Sequence, residues 1–316
     1  MLTLTMRPYQ GETDLPPLAD LLNLCRKVDQ IDYTTSVQDL RSWFNAPKGD
    51  PKDNVRLWEN ETGQIVGYSH CQKGSTEEVE DVFFRFVVHP NLRNQGLEED
   101  MLAWGERRVV EIGKSLIRTS TRNTNRDRQH FLETNGYQLH RRFFSMERSL
   151  HLPIPEPSVP DGFSIRLYKG ESEAEAWVEM FNQSFIDHWN FNPCTLEEQL
   201  YYIQAPDYQA DMDWVAVSPN GQLAAFCYCN IDKEDNRQRN CQEGWVNLLG
   251  TRRGFRRQGL GRAILLTGLH SLQKAGMKVA KLGVDSTNPN GALQLYESVG
   301  FQLLHTNLIY GKALGN

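Results

Sequence analysis

The sequence lacks the features that would place it in a membrane or in an oxidising compartment. No run of about 20 apolar residues is present to span a bilayer, and residues 1–10 lack the apolar core of a signal peptide. The six cysteines form no C-x-x-C pair and stand without clustered histidines, so we expect free thiols and no metal site. These absences predict a cytoplasmic protein without a membrane partner.

An excess of positive charge is also missing. The formal net charge is -6 and the isoelectric point is about 5.8, so no nucleic-acid partner is expected. The local exception is a group of arginines around one short segment: Arg252, Arg253, Arg256, Arg257 and Arg262. Such a group fits either an anionic cofactor or a solvated basic surface.

That segment, Arg256–Gly261, reads R-x-x-G-x-G between a strand-like run and a helix pattern. A turn from a strand into a helix start presents unpaired N–H groups and the positive end of the helix dipole, which together attract phosphate. The spacings of the Rossmann motif and of the P-loop are both absent. The alternative is an ordinary helix start whose glycines ease close packing.

A second segment follows about forty residues later. We predict a strand over Val279–Val284, a polar Asn/Pro/Gly turn, and a helix over Ala292–Ser298 that Gly300 ends. Together, the R-x-x-G-x-G loop, the Asn turn and an A-x-x-x-Y-x-x-x-G-F stretch resemble the GNAT superfamily of N-acetyltransferases. The resemblance implies a mixed α/β fold with a mostly antiparallel central sheet flanked by helices.

The same layout occurs twice along the chain. Arg93 and Arg256 lie 163 residues apart, as do Gly96 and Gly259. Matching spacings over a whole half indicate duplication of one domain, so we expect a tandem pair of GNAT-like domains. A proline-rich stretch at 151–161 predicts a linker between domains at 1–150 and 162–316.

The two halves differ at the positions that matter for chemistry. Glu98 stands where the second half has Gly261, and Leu132 stands where it has Tyr296. A carboxylate repels a diphosphate and adds a Cβ where close approach is needed. We therefore predict that residues 1–150 form a degenerate, non-catalytic copy and that residues 162–316 form the catalytic domain.

The resemblance implies that acetyl-CoA is the donor and assigns residues to it. The strand around Leu249 and Thr251, separated from its neighbour by a bulge, pairs with the pantetheine amides, and an N–H near Leu249 polarises the thioester carbonyl. Asn288 steadies the pantetheine arm, or else only forms its turn. The pyrophosphate loop is expected to comprise Arg256, Arg257, Gln258, Gly259, Leu260, Gly261 and Arg262.

Acid and base residues follow from the proton transfers that the reaction needs. Tyr296, a phenol that is protonated at neutral pH, is the candidate acid, with a packed aromatic as the alternative. Many relatives carry a Glu where this chain has Trp245, so the candidate bases are Glu243 on the same predicted strand face, Asp285, and water.

The acceptor is expected to be a small-molecule amine that receives the acetyl group by direct attack. Residues 185–193 follow the first helix pattern of the second half and predict an acceptor wall or a packed loop. Tyr33, Trp43 and Trp58 are candidates to close the cleft, and we expect a monomer. The alternatives are a non-catalytic acyl-CoA-binding module and a protein or peptide acetyltransferase.

Overall fold

The computed structural model describes residues 4–46, 50–73, 81–189 and 191–315. The helices are α1 Leu15–Val28, α2 Val37–Asn45, α3 Pro51–Asn54, α4 Leu97–Glu111, α5 Arg126–Thr134, α6 Ala174–Phe185, α7 Leu196–Ile203, α8 Lys233–Arg239, α9 Leu260–Lys274 and α10 Ala292–Ser298. The strands are β1 Thr5–Pro8, β2 Val55–Glu59, β3 Ile65–Lys73, β4 Asp81–Val88, β5 Leu116–Arg122, β6 Gln138–Ser149, β7 Ser164–Leu167, β8 Asp213–Val217, β9 Leu223–Asn230, β10 Glu243–Thr251, β11 Val279–Asp285 and β12 Gln302–Ala313.

The chain divides into two compact units, and unit 1 comprises Met1–Arg141 with Leu308–Asn316. Its strands β1 to β5 lie side by side in chain order, antiparallel except for the parallel pair β4–β5. Alternate residues of β2 face opposite sides: Leu57 joins the core under α1, whereas Trp58 joins the core under α4. A two-faced sheet covered by helices on both sides is the result.

Unit 2, Arg142–Asn307, repeats this plan. Its strands run in the order β7, β8, β9, β10, β11 and the second part of β6, with one parallel pair, β10–β11. Phe226 packs with α6 on one face, and its neighbour Cys227 packs with α9 on the other. The predicted fold class, a mixed and mostly antiparallel sheet in each of two tandem domains, is confirmed.

The compact units do not coincide with the predicted segments 1–150 and 162–316. Residues 143–149 of β6 pair with β11 in unit 2, whereas residues 308–316 belong to unit 1, where Leu314 N–H donates to Ser115 O at 2.8 Å. Each unit therefore completes its sheet with a strand segment from the other half of the sequence. Residues 151–163 contain no helix or strand.

The loops that precede α4 and α9 have the same backbone conformation. Asn94 and Arg257 both adopt left-handed φ values, 60° and 61°, and the glycines before the two helices have φ 96° and 88°. Both helices are 15 residues long. Non-glycine residues seldom adopt such angles, so this local match supports the duplication independently of sequence identity.

One buried carboxylate of unit 2 makes stability depend on pH. Burial raises the pKa of Asp213, the first residue of β8, from 3.8 to about 7, although Tyr208 donates a hydrogen bond to it at 2.8 Å. Because the folded pKa lies above the unfolded one, the protonated group stabilises the fold below about pH 4, and this contribution is lost as the pH rises through about 7.

We expect D213N to raise the free energy of unfolding by about 2–4 kcal/mol at about pH 8 and to change it little at about pH 4. Urea unfolding of both proteins at the two pH values measures this. An equal effect at both pH values would contradict the assignment.

Candidate functional site

The parallel strands β10 and β11 separate part-way along their length. They pair from Glu243 opposite Val279 to Val246 opposite Leu282, whereas β10 continues to Thr251 against β9. A register shift between Val246 and Leu248 marks a bulge, which bends the strand that carries it. Leu248–Thr251 therefore border an opening, and among the described strands only β9 pairs with them. Their other edge is available for hydrogen bonds to an extended ligand.

The loop after β10 ends at an open helix start. Gly259 adopts φ 88° and immediately precedes α9. No side chain caps the first turn of this helix, and that turn carries no acidic residue. Arg257, Gln258 and Gly259 are all exposed. The unpaired N–H groups of the first turn and the helix dipole thus favour an anion at this exposed loop.

Gly261, in that first turn, lies close to the end of β10. A Cβ added to Gly261 would stand 3.2 Å from Thr251 Oγ1 and 3.7 Å from Leu295 Cδ2. The structure thus brings the end of β10 and the start of α9 together at Thr251 and Gly261, while their contact with a cofactor stays a prediction. Leu260, the first residue of α9, is buried in the core and contributes its backbone rather than its side chain.

Arg256 holds the loop in place, which differs from its predicted role as a cofactor contact. Its Nη1 donates to Asp187 Oδ2 at 2.7 Å and to Asn290 Oδ1 at 3.0 Å, and its Nη2 donates to Ser184 O at 2.9 Å. Hydrogen bonds from Arg256 and Arg253 lower the pKa of Asp187. Most donors of the guanidinium are therefore used within the protein.

Arg257 and Arg262 differ from Arg256 in this respect. Within the part of the chain that the structure describes, neither guanidinium forms a hydrogen bond or an ion pair. Arg257 lies beside the turn before α10, since a Cβ on Gly291 would stand 3.7 Å from Arg257 Nη2. These two arginines are the ones whose charge remains available to an anionic ligand.

Asn288 uses its side chain within its own turn. Its Oδ1 accepts a hydrogen bond from Asn290 N–H at 2.8 Å, and its N–H donates to Asp285 O at 3.1 Å. This geometry fits the alternative that Asn288 shapes the turn. A contact between Asn288 and a pantetheine arm stays a prediction.

Tyr296 lies on α10 and is only 7% exposed. Its ring packs edge-on against Phe301 at 6.0 Å, in the same hydrophobic cluster that Leu249 contacts. Burial raises the pKa of this phenol, so it is protonated at neutral pH. The residue is thus a packed aromatic whose hydroxyl carries its proton at neutral pH.

Asp285 ends β11 on the face of the sheet away from α9. Its neighbour Val284 belongs to the core under α9, so strand alternation directs Asp285 to the opposite side. Its carboxylate is buried, 1% exposed, and accepts hydrogen bonds from Thr287 N–H at 3.0 Å and Thr287 Oγ1 at 3.1 Å.

The predicted acceptor wall lies near this strand end. Phe143 is the register partner of Asp285 on β6. Its ring lies 6.4 Å from that of His188 and 6.1 Å from that of Trp189. Asp285 and the segment after α6 are therefore brought to the same region of unit 2. Asn190, within the predicted wall, lies outside the described residues.

Glu243 is not brought to this region. It is the first residue of β10, and Leu249 lies six residues further along, roughly 20 Å away in an extended strand. Its carboxylate forms ion pairs with Arg239 Nη2 and with Lys281 Nζ, both at 2.8 Å, and is 14% exposed. These ion pairs favour a structural role for Glu243, and a catalytic role stays a prediction.

We expect E243Q to lower the free energy of unfolding by about 2–4 kcal/mol, because Lys281, 2% exposed, loses the Glu243 carboxylate that lies 2.8 Å from its ammonium group. Urea unfolding and steady-state kinetics measure the change in stability and the retained turnover. The matched control E234Q removes a carboxylate from the exposed Glu234–Arg237 pair and should change the free energy of unfolding little. A folded E243Q variant without activity would restore Glu243 as a base.

The equivalent region of unit 1 shares the separation of its parallel strands, β4 and β5, but differs at the helix start and in the strand pairing. The first turn of α4 carries Glu98, Glu99 and Asp100, and Glu98 Oε1 accepts a hydrogen bond from Asn94 N–H at 3.2 Å. The β3–β4 pairing is continuous, without the register shift found in β10. Trp58, a predicted cleft residue, is instead a core residue, 4% exposed.

Comparisons with known proteins agree with this geometry. Residues 174–301 match the model of the acetyltransferase (GNAT) family. A mycothiol acetyltransferase from Streptomyces bingchenggensis is 29% identical over 296 residues, which cover 92% of this chain and 91% of that protein.

Two solved structures share the fold, each with a TM-score of 0.76. A GCN5-related N-acetyltransferase from Sphaerobacter thermophilus is 21% identical, with 98% of this chain and 95% of that chain covered. A tandem GNAT protein from the clavulanic acid biosynthesis pathway is 13% identical, with 99% of both chains covered. No helix in the described ranges is long and apolar enough to span a membrane. From the loop, the strand opening and the family match together, residues 174–301 form a domain of the acetyltransferase (GNAT) family.

Proposed function

We propose that this protein transfers the acetyl group of acetyl-CoA directly to a primary amine of a small molecule, and that residues 162–316 carry the chemistry. The observation behind this proposal is that unit 2 combines a bulged strand, β10, with the start of α9. No side chain caps that helix, and its first turn carries no acidic residue. Relatives named mycothiol acetyltransferase support a small-molecule acceptor.

The donor would be held by backbone groups and by two free cations. The N–H groups from Arg257 to Arg262 receive the pyrophosphate, with the guanidiniums of Arg257 and Arg262 adding charge. The open edge at Leu249 and Thr251 pairs with the pantetheine amides. Acetyl-CoA supplies an activated thioester when it is bound.

The protein's own groups handle the charge and the protons. The N–H near Leu249 stabilises negative charge on the carbonyl oxygen. Tyr296 donates a proton to the departing thiolate. Asp285, on the sheet face that the segment after α6 approaches, or a water beside it, takes the proton of the attacking ammonium.

A panel of amines tests the proposal with the full chain. The protein is mixed with acetyl-CoA and each amine, and free thiol is measured against time. We expect thiol release that requires both an amine and the protein, and an acetylated small-molecule product detected by mass spectrometry. Release that needs a peptide amine and ignores every small amine would contradict the proposed acceptor class.

A further inference from the structure

Unit 1 contains a cavity of about 280 Å³ that the proposed reaction does not use. It lies where β4 and β5 separate, since their pairing covers only Asp81–Phe83 and Leu116–Arg118. The residues after α1 and the face of α2 form its other wall. All residues that line it fall between Leu22 and Phe131, so the site is complete within unit 1.

The arginines that line the cavity differ in their partners. Arg93 forms a two-pronged ion pair with Asp29, at 2.6 and 2.9 Å. Arg122 pairs with Asp32. These two guanidiniums are neutralised within the protein and fix the cavity wall. They are not the groups that would attract a ligand.

Arg26 and Arg85 have no carboxylate partner within ion-pair distance among the described residues. Arg26 donates to Thr35 Oγ1 and lies 4.3 Å from the centre of the Tyr33 ring. Arg85 is exposed and lies 6.0 Å from the centre of the Trp43 ring. Arg128 also lines the cavity without an ion pair among the described residues, and its Nη1 donates to Phe86 O at 3.2 Å. Three uncompensated cations therefore line the cavity, of which Arg26 and Arg85 are the two that contact its exposed aromatic side chains.

The cations face aromatic side chains that are unusually open to solvent. Tyr33 is 40% and Trp43 is 47% exposed, and both line the cavity. Tyr68 on β3, 3% exposed, also lines the cavity, and the positive charges of Arg85 and Arg26 oppose the rise that burial causes in its pKa. Exposed aromatics beside free guanidiniums are typical of ligand contacts rather than of a packed core.

Coenzyme A is a poor match for this cavity. Glu98 lines the cavity wall. It belongs to the first turn of α4, which carries three acidic residues. A diphosphate there would meet negative charge. The volume is also that of a small organic molecule, at the lower end of ligand pockets.

We propose that this cavity is a second ligand site, which binds a small organic oxyanion: a carboxylate or phosphate group held between Arg26 and Arg85, attached to a planar apolar body that packs on Tyr33 and Trp43. Guanidinium pairs match the geometry of both anionic groups. The aromatic rim supplies the apolar contact.

Titrations of the full chain with phenylacetate and with phenyl phosphate test the site and separate the two anion types. Binding is followed by calorimetry and tryptophan fluorescence. We expect saturable binding of at least one probe. R85Q, a substitution at an exposed position, should weaken it at least about 10-fold, and R85K should weaken it less, because it keeps the positive charge but loses the two-pronged geometry.

The matched control is R41Q, which removes an exposed guanidinium of α2 that pairs with Glu12 outside the cavity lining. It should leave probe affinity unchanged. No saturable binding of either probe up to about 10 mM would overturn the proposal, as would equal losses in R85Q and R41Q. If coenzyme A displaces the probe, and R85Q abolishes this displacement, the cavity would be reassigned to an acyl-CoA site.

The variant G261E distinguishes a failure of this proposal from a failure of the proposed acetyl transfer. It changes only unit 2, so probe binding should persist while acetyl-CoA binding is lost. Loss of probe binding in G261E would overturn the assignment of the oxyanion to unit 1.

Discussion

Replacing Gly261 with glutamate is expected to weaken acetyl-CoA binding at least about 100-fold. The substitution copies Glu98 into the second half of the chain. It adds a Cβ 3.2 Å from Thr251 Oγ1 and a negative charge to a first turn that has no acidic residue. Calorimetric titration with acetyl-CoA or coenzyme A measures the loss.

Two further variants serve as controls: one separates charge from size at residue 261, and the other tests the equivalent position of unit 1. G261Q has the same size without the charge and should lose less affinity than G261E. E98G in unit 1 should create no second coenzyme A site, because Glu99 and Asp100 remain in the first turn of α4. Wild-type affinity in a folded G261E variant would refute the anion site at the start of α9.

The second large effect is expected from Y296F. Turnover should fall about 100-fold or more, within the range of general acid catalysis, with the KM for acetyl-CoA unchanged. The ring and its contact with Phe301 are kept, so only the hydroxyl is lost. Steady-state kinetics with an accepted amine, with acetyl-CoA varied, measure both constants.

Y168F is the matched control for Y296F. Tyr168 is a buried tyrosine of unit 2 that packs on Trp177, in the hydrophobic cluster on the α6 side of the sheet. Because Y168F removes only the hydroxyl of this residue, its turnover should stay close to that of the wild type. Similar kinetics for Y296F and the wild type would leave Tyr296 as a packing residue.

Local signals predicted the elements around the site well. The helix Ala292–Ser298 is as predicted, and the strand over Val279–Val284 ends one residue later, at Asp285. Gly300, with φ 91°, follows the end of α10 as a left-handed glycine should. These features depend on neighbouring residues alone, so a single sequence contains them.

Features that depend on distant partners were not predicted. Glu243 pairs with Lys281, which lies 38 residues later on the next strand. Its other partner, Arg239, is four residues earlier, but the two residues do not share a helix, so the helical i,i+4 rule does not predict that pair. Asp187 was placed in an acceptor wall, whereas its carboxylate anchors Arg256. The cavity of unit 1 was missed because Arg26 and Arg85 come from a helix and a strand far apart in the chain.

The placement of residues 308–316 has a consequence for biosynthesis. A growing chain emerges from the ribosome starting at its N-terminus, and domains made first usually fold first. Unit 1 cannot close its sheet until the segment from Leu308 onward has been translated, because Tyr310 and Lys312 of that segment bind Glu133 and Glu106. Unit 1, although most of it is translated before unit 2, is therefore completed after unit 2, and a chain that stops near residue 307 should contain a complete unit 2 and an incomplete unit 1.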